Sequence, residues 1–306
     1  MTDDAAAGGG RRASPTHGGP GEPRSIGYLY VAPAFAMFAA FVLAPFVRSL
    51  NLSLYDWDGI GPARFVGLEN FAEVWRSATF RGSFLHALVL IVFYAVLPLV
   101  LALVLVSVMN RSRVRGLTFY RTVLFLPYVV APTAVAVIWR WLLAPDGPVN
   151  SALATVGVGR LARPWLGDFT FALPTVGLVG SWVMYGLVLV LLLAGVQKIP
   201  TELYEAARID GAGAWWEFLA VTLPGLRYEI AVVLVLTVTA ALRNFDVIYV
   251  MTQGGPGTST VVPSYLVYQQ AFIAGRLGAA AAVGAVLVVL IAAVNILIAR
   301  LGATSE

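Results

Sequence analysis

The sequence predicts an all-α integral membrane protein with six transmembrane helices, and three observations carry that prediction. Hydrophobic residues fill 59% of the 306 positions and charged residues only 12%, with a mean hydropathy of +0.82. Such a chain is too apolar to form the surface of a water-soluble globule. The apolar residues are gathered into six runs, each long enough, at about 1.5 Å per residue, for a hydrocarbon layer of about 30 Å. Polar, arginine-bearing or Gly- and Pro-bearing stretches separate them.

Residues 1–25 contain AAAGGGRRASPTHGGPGEPR, a low-complexity stretch with nothing to bury, which predicts a disordered tail and leaves 26–306 as the membrane domain. The first span is expected from Ile26 to Leu50. Arg11, Arg12 and Arg24 precede it as in a signal peptide, but the run is long and lacks a small-residue cleavage site, so it reads as a retained anchor. From Asn51 to Ser83 the chain is polar and aromatic, with Tyr55 and Trp57 placed as interfacial anchors. The second span covers Phe84 to Val108, the third Leu117 to Leu143, the fourth Phe171 to Val196, the fifth Glu229 to Met251 and the sixth Leu277 to Leu301. Prolines at 98, 127, 132 and 174 are expected to interrupt spans, which is tolerated where a span lines a cavity or packs on protein.

Charge sets the orientation. Asn110 to Gly116 is a very short loop holding Arg111, Arg113 and Arg115. With both termini inside, eleven of the twenty Lys and Arg residues fall on the inner side, eight on the outer side, and Arg243 within a span. Short loops weigh most, so the arginine loop places both termini in the cytoplasm of a multi-pass protein. There are no cysteines, which excludes disulfides and thiolate chemistry, and His17 and His86 are too far apart to suggest a metal site. The sole lysine, Lys198, precedes isoleucine rather than Ser or Thr, so the chain carries no ATP-binding P-loop. No enzymatic motif or nucleic-acid signature is present, and no cofactor site suggests itself.

One polar segment interrupts the apolar sequence, Pro200 to Pro224, reading PTELYEAARIDGAGAWWEFLAVTLP. Thr201 is placed to cap a helix, with Glu202 and Glu205 near its positive end. Gly211 separates this helix from a second that is expected to stop at Pro224. Leu203, Ala206 and Ala207 stripe the first helix, and Trp215, Phe218, Leu219 and Thr222 the second. By pattern alone the segment fits either a linker lying on lipid headgroups or a rigid docking knob. Its residues decide between them: Glu205-Ala206-Ala207, Asp210-Gly211-Ala212 and Leu223-Pro224 resemble the EAA motif of the membrane subunits of bacterial binding-protein-dependent ABC importers. The resemblance implies that Glu205, Ala206, Ala207, Asp210 and Gly211 form a coupling helix docking on a separate ATPase.

The fifth span carries Arg243-Asn244-Phe245-Asp246. Charges at that depth must face a cavity or a partner. Arg243 and Asp246, three apart, can also pair on one helical face. Lining of a translocation path and a structural ion pair are both open. Trp182 and Tyr185 are further candidates for lining that path, with a role as interface-belt aromatics as the alternative. Asn244-Phe245-Asp246, Ile248 to Thr252 and Gly254-Gly255-Pro256, with the early YDW and FVGLENF segments, are similar to carbohydrate importers of the maltose and glycerol-phosphate type, and more to the first of their two permeases. The resemblance covers the chain from about residue 26. It implies a type I importer permease in a bacterial plasma membrane, with a second homologous permease, an ATPase dimer binding ATP and Mg, and an extracytoplasmic sugar-binding lipoprotein. Contacts of the prototype's large periplasmic domain do not transfer, since this chain lacks it. An ion-gradient-driven secondary transporter would need an acidic relay, for which Asp246 is the sole candidate, and a non-sugar importer would share the EAA-like loop.

Overall fold

Runs of Leu, Val and Ala leave the backbone no hydrogen-bonding partner but itself, and in hydrocarbon that dictates helices. The computed structural model describes residues 25–111 and 116–303 and is helical almost throughout. The tail up to Arg24, and Arg113 and Arg115 of the arginine loop, lie outside the described residues. Five helices are long and apolar enough to cross a membrane, Tyr28–Leu52, Ala78–Met109, Ala172–Val196, Arg227–Met251 and Leu277–Gly302, and a bent pair, Phe119–Val129 with Pro132–Leu142, makes a sixth. We call these spans 1 to 6 in chain order, so that the bent pair is span 3. Contacts divide the chain into two units, 1–48 and 49–306. In the first, the large side chains of span 1, such as Phe35, Met37 and Phe41, are exposed. All further description concerns the second unit.

Span 4 is the most buried, and small residues let its neighbours close on it. A Cβ on Gly186 would strike the backbone carbonyl of Leu124 in span 3, and one on Gly180 would strike the Tyr94 ring in span 2. Tyr94 sits in a π-helical turn, Val92–Val96, within span 2. The wide turn changes the local hydrogen-bond ladder, and the Phe93 carbonyl accepts a bond from Ser181 Oγ at 2.5 Å. Glycine spacing thus fixes where the Tyr94 side chain lies.

Of the four prolines expected to interrupt spans, Pro132 alone does so. Ala131 before it is forced extended (φ −54, ψ 132), and Pro132 opens a new helix, bending span 3 by 94°. Pro127 stays inside its helix, Pro98 follows the π turn, and Pro174 lies in the first turn of span 4, where a missing N–H costs little. Span 5 breaks without proline: one helix ends at Leu242 and the next begins at Asp246. The Asn244 carbonyl at this break accepts from Ser264 Oγ at 2.9 Å. The two half-helices, Pro132–Leu142 and Asp246–Met251, are joined where Arg140 donates to the Val250 carbonyl at 3.2 Å.

At the opposite end from residues 200–224, the polar stretch after span 1 forms a two-stranded hairpin, Tyr55–Asp56 with Arg64–Phe65. Buried Asn70 donates to the carbonyls of Ser53 and Tyr55, and Leu277 N–H at the start of span 6 donates to Trp57. Arg276 grips Glu73 with both terminal nitrogens, and this pairing holds the Glu73 carboxyl below its usual range. A carboxylate whose pKa is depressed by folding contributes stability that is present above its unfolded value, near 4.5, and is lost as pH falls through the lower folded value. The pair is half exposed, so the contribution is small. Glu73→Gln is expected to lower the free energy of unfolding by no more than about 1 kcal/mol at pH 7, read from the thermal-unfolding transition, and to flatten the acid limb of its pH profile.

Candidate functional site: a cavity and a knob

The two broken spans meet at a cavity of about 350 Å³. Tyr94 from span 2, Pro132 and Val135 from span 3, Val183 and Met184 from span 4, and Thr239 with residues 243–247 from span 5 line it. Arg243, Asn244 and Asp246 are therefore brought together. Among the described residues no ion pair joins Arg243 to Asp246, because the helix breaks between them and the three-residue helical spacing is lost. Two buried polar atoms on this wall, Tyr94 Oη and Asn244 Nδ2, have no hydrogen-bond partner. Buried polar groups are nearly always satisfied, and exceptions in a concave site point to a polar ligand.

Trp182 and Tyr185 do not line the cavity. Trp182 makes an edge-to-face contact with Trp139 at 5.5 Å and is half exposed, while Tyr185 packs against the apolar cluster of Val188, Leu189 and Leu192. The aromatic group beside the cavity is a different one. Phe245 stacks on Tyr249 at 5.3 Å and contacts Tyr268 at 5.5 Å. The cluster is assembled across the loop between spans 5 and 6, so linear spacing could not reveal it. Tyr94 was equally hidden, since a π turn has no sequence signature.

Residues 198–229 fold back on themselves as a two-limbed knob. The first limb, Thr201–Ile209, starts with Pro200 at the cap position and makes no side-chain cap bond, so Thr201 is its first residue and not its cap. Proline fits there because its φ is already set and no N–H is required. The limb ends in a Schellman turn: Ala212 N–H bonds to Ala207, Gly211 N–H to Arg208, and Gly211 has φ +81. The second limb runs through Ala214–Glu217, a π turn Phe218–Thr222 and Leu223–Gly225. It continues past Pro224, which occupies the first turn of its last segment, where no donor is required.

Three contacts bridge the limbs. Lys198 Nζ donates to Glu229 Oε1 at 2.9 Å, Tyr204 Oη shares a hydrogen bond with Thr222 Oγ1 at 3.3 Å, and Arg208 donates to the Glu217 carboxylate at 3.1 and 3.4 Å. Glu217 is only 3% exposed, and beside it the Arg208 guanidinium is held above its ordinary value. The inward residue of the first limb is Tyr204; Leu203 and Ala206, expected on a common apolar stripe with Ala207, face outward, and so does Trp215. Limb-to-limb packing through Tyr204 and Thr222 shifts the buried face by one residue. Glu205, Ala206, Asp210 and Gly211 are exposed, Ala207 is half-buried, and Ile209, Trp215 and Trp216 crown the tip with exposures of 86%, 67% and 65%.

Broken spans flanking a cavity, with a helical knob at one end of the bundle, define the membrane-spanning part of a transporter. Residues 77–304 match the family described as binding-protein-dependent transport system inner membrane component, and the chain belongs to that family, as a permease of ABC importers. It is 36% identical over 279 residues to the probable ABC transporter permease protein YurN of Bacillus subtilis, covering 89% of this chain and 94% of that one. It is 31% identical to the lactose transport system permease protein LacF of Rhizobium radiobacter, over 89% and 92%, and 34% identical to the diacetylchitobiose uptake system permease protein NgcF of Streptomyces coelicolor, over 89% and 79%. A chain of a bacterial ABC transporter that imports the polysaccharide alginate shares the fold, with TM-score 0.77 at 23% identity over 92% and 96% of the two chains. The fold is thus that of a type I importer permease.

Proposed function

We propose that this permease carries a carbohydrate, with the cavity at the two broken spans as its share of the sugar path and the knob as the element that receives the ATPase's motion. The observation that carries the sugar reading is the cavity wall, where Tyr94 Oη and Asn244 Nδ2 stand unsatisfied beside Arg243 and Asp246. Neutral donors and acceptors of that mixture suit hydroxyl groups, and the adjoining Phe245 and Tyr249 rings offer the flat apolar faces on which sugar rings stack. The lactose and diacetylchitobiose permeases among the relatives support the same class.

In this reading both termini and the knob are cytoplasmic in a bacterial plasma membrane, which the arginine distribution supports. The partners are a second homologous permease, an ATPase dimer binding ATP and Mg, and an extracytoplasmic sugar-binding lipoprotein. An ion-gradient mechanism has no support in the family.

The test is to tag the N-terminus, extract the chain gently from its native membrane and identify what co-purifies. A P-loop ATPase, a second permease and a sugar-binding protein are expected, and recovery of the chain by itself would overturn the assignment. Binding of lactose, diacetylchitobiose and related oligosaccharides to the recovered binding protein then identifies the substrate. With that sugar, Asn244→Leu is expected to lower uptake about tenfold, the effect of removing one hydrogen bond of about 1–2 kcal/mol to a buried group, while sugar capture by the binding protein is unchanged. Uptake at the parental rate would remove Asn244 from the path.

A further inference from the structure

We infer that Arg208 and Glu217 are positioning residues that lock the two limbs of the knob into one rigid lever, so that force applied at the tip reaches spans 4 and 5 without being absorbed between the limbs. This rests on reading the knob as the element that receives the ATPase's motion.

The geometry is that of a ladder with three rungs. Lys198 and Glu229 close the base, directly where span 4 ends and span 5 begins. Tyr204 and Thr222, both buried, make the middle rung. Arg208 and Glu217 make the last rung before the Gly211 turn. That last rung differs from an ordinary surface ion pair. Exposed pairs are weak and are easily remade with water, whereas here only Arg208 reaches solvent, with its side chain 56% exposed, and Glu217 is buried in the limb interior. A charge withdrawn from water is held by its partners, and removing a partner is costly. The second limb also contains the π turn Phe218–Thr222, a weak place at which a limb would bend. Glu217 lies immediately before that turn, so its bond to Arg208 pins the second limb to the first at the bend. A lone amphipathic linker has no use for a buried carboxylate at this point. A lever does, because any hinge between tip and span would dissipate the stroke.

The chain has no cysteine, so spin labels can be placed on it without background substitutions within this chain, the partner subunits being prepared without reactive cysteines. Glu202→Cys and Ala220→Cys put one label on the exposed surface of each limb. The measurement is the limb-to-limb distance distribution by pulsed electron paramagnetic resonance, in the assembled complex with its ATPase, with no nucleotide and after trapping with ATP and vanadate. A single narrow distribution that does not move between the two states is expected. Glu217→Gln should broaden it and reduce transport per ATP hydrolysed about tenfold, within the usual range of coupling free energies. Arg208→Lys, which keeps the charge, should restore more of that ratio than Arg208→Gln. A purely structural role would instead lower complex yield and leave the ratio unchanged.

A limb-to-limb distance that shifts on vanadate trapping would overturn the lever, even if Glu217→Gln fails to assemble, because the labelled parent decides that point by itself. Failure of the underlying reading has a different signature: Gly211 and Glu205 variants would then retain fully coupled transport.

Discussion

Gly211→Val is expected to abolish coupled uptake while leaving the chain inserted and assembled in the membrane. Gly211 has φ +81, a left-handed conformation that costs an ordinary residue about 1–2 kcal/mol and a β-branched one more. Nothing lies within 4 Å of the site a Cβ would take, so the penalty is conformational and not steric. It is relieved by opening the turn, which breaks the paired bonds from Ala212 to Ala207 and from Gly211 to Arg208 and redirects the second limb. The spans do not depend on this turn, so expression and extraction should match the parent. Uptake is expected to fall at least about tenfold, and ATP hydrolysis by the recovered complex should no longer respond to the loaded binding protein. Gly211→Asn, which tolerates the left-handed region, should fall between the two. Glu205→Ala, at an exposed position beside this turn, is expected to act in the same direction with smaller effect. Normal uptake by Gly211→Val would show that the knob does not couple.

The fold was legible because its cause is one-dimensional. Length and apolarity of a run decide whether it can cross a bilayer, and five of the six runs are long apolar segments near the expected bounds, while the third is a helix pair bent by 94°. The knob was legible for a different reason: its cluster of charged residues is costly to place in hydrocarbon, so the segment was expected to lie outside it. What could not be read were features set by contact between distant segments. Pro132 and Pro127 look alike in sequence, yet only the first breaks the span, because packing of the half-helix Pro132–Leu142 against Asp246–Met251 stabilises that bend. Arg243 and Asp246 looked like a helical pair, but the chain unwinds between them and the Asn244 carbonyl is satisfied instead by Ser264. Tyr94 reaches the cavity through a π turn whose Phe93 carbonyl is held by Ser181, 88 residues from Phe93. Trp182 and Tyr185 had the right chemistry for a sugar path but sit on other faces of span 4, a rotation that apolar residues on every side of a membrane helix do not reveal.

The largest loss of stability is expected at Gly186, where span 4 meets span 3. A Cβ there would overlap the carbonyl carbon and oxygen of Leu124 and the Cα of Phe125. These are backbone atoms, so no side chain can swing aside and the two helices must separate. Helices in lipid have no hydrophobic drive toward one another and hold together by close packing at small residues, so a separated pair has little to bring it back. Overpacking a core costs about 1–3 kcal/mol, and Gly186→Ala is expected at the upper end of that range, with Gly186→Leu failing to give a monodisperse protein. Gly82 in span 2 has nothing within 4 Å, and Gly82→Ala serves as the matched control, raising helix propensity without a clash. The measurement is the midpoint of thermal unfolding in detergent for both alanine variants. Because Val183 and Met184, within one turn of Gly186, line the cavity, separation of the spans should also widen the path. Gly186→Ala is therefore expected to lose more uptake than its remaining folded fraction accounts for. Equal midpoints for the two variants would mean that spans 3 and 4 do not close on each other at this glycine, and would remove the support on which the position of the cavity wall depends.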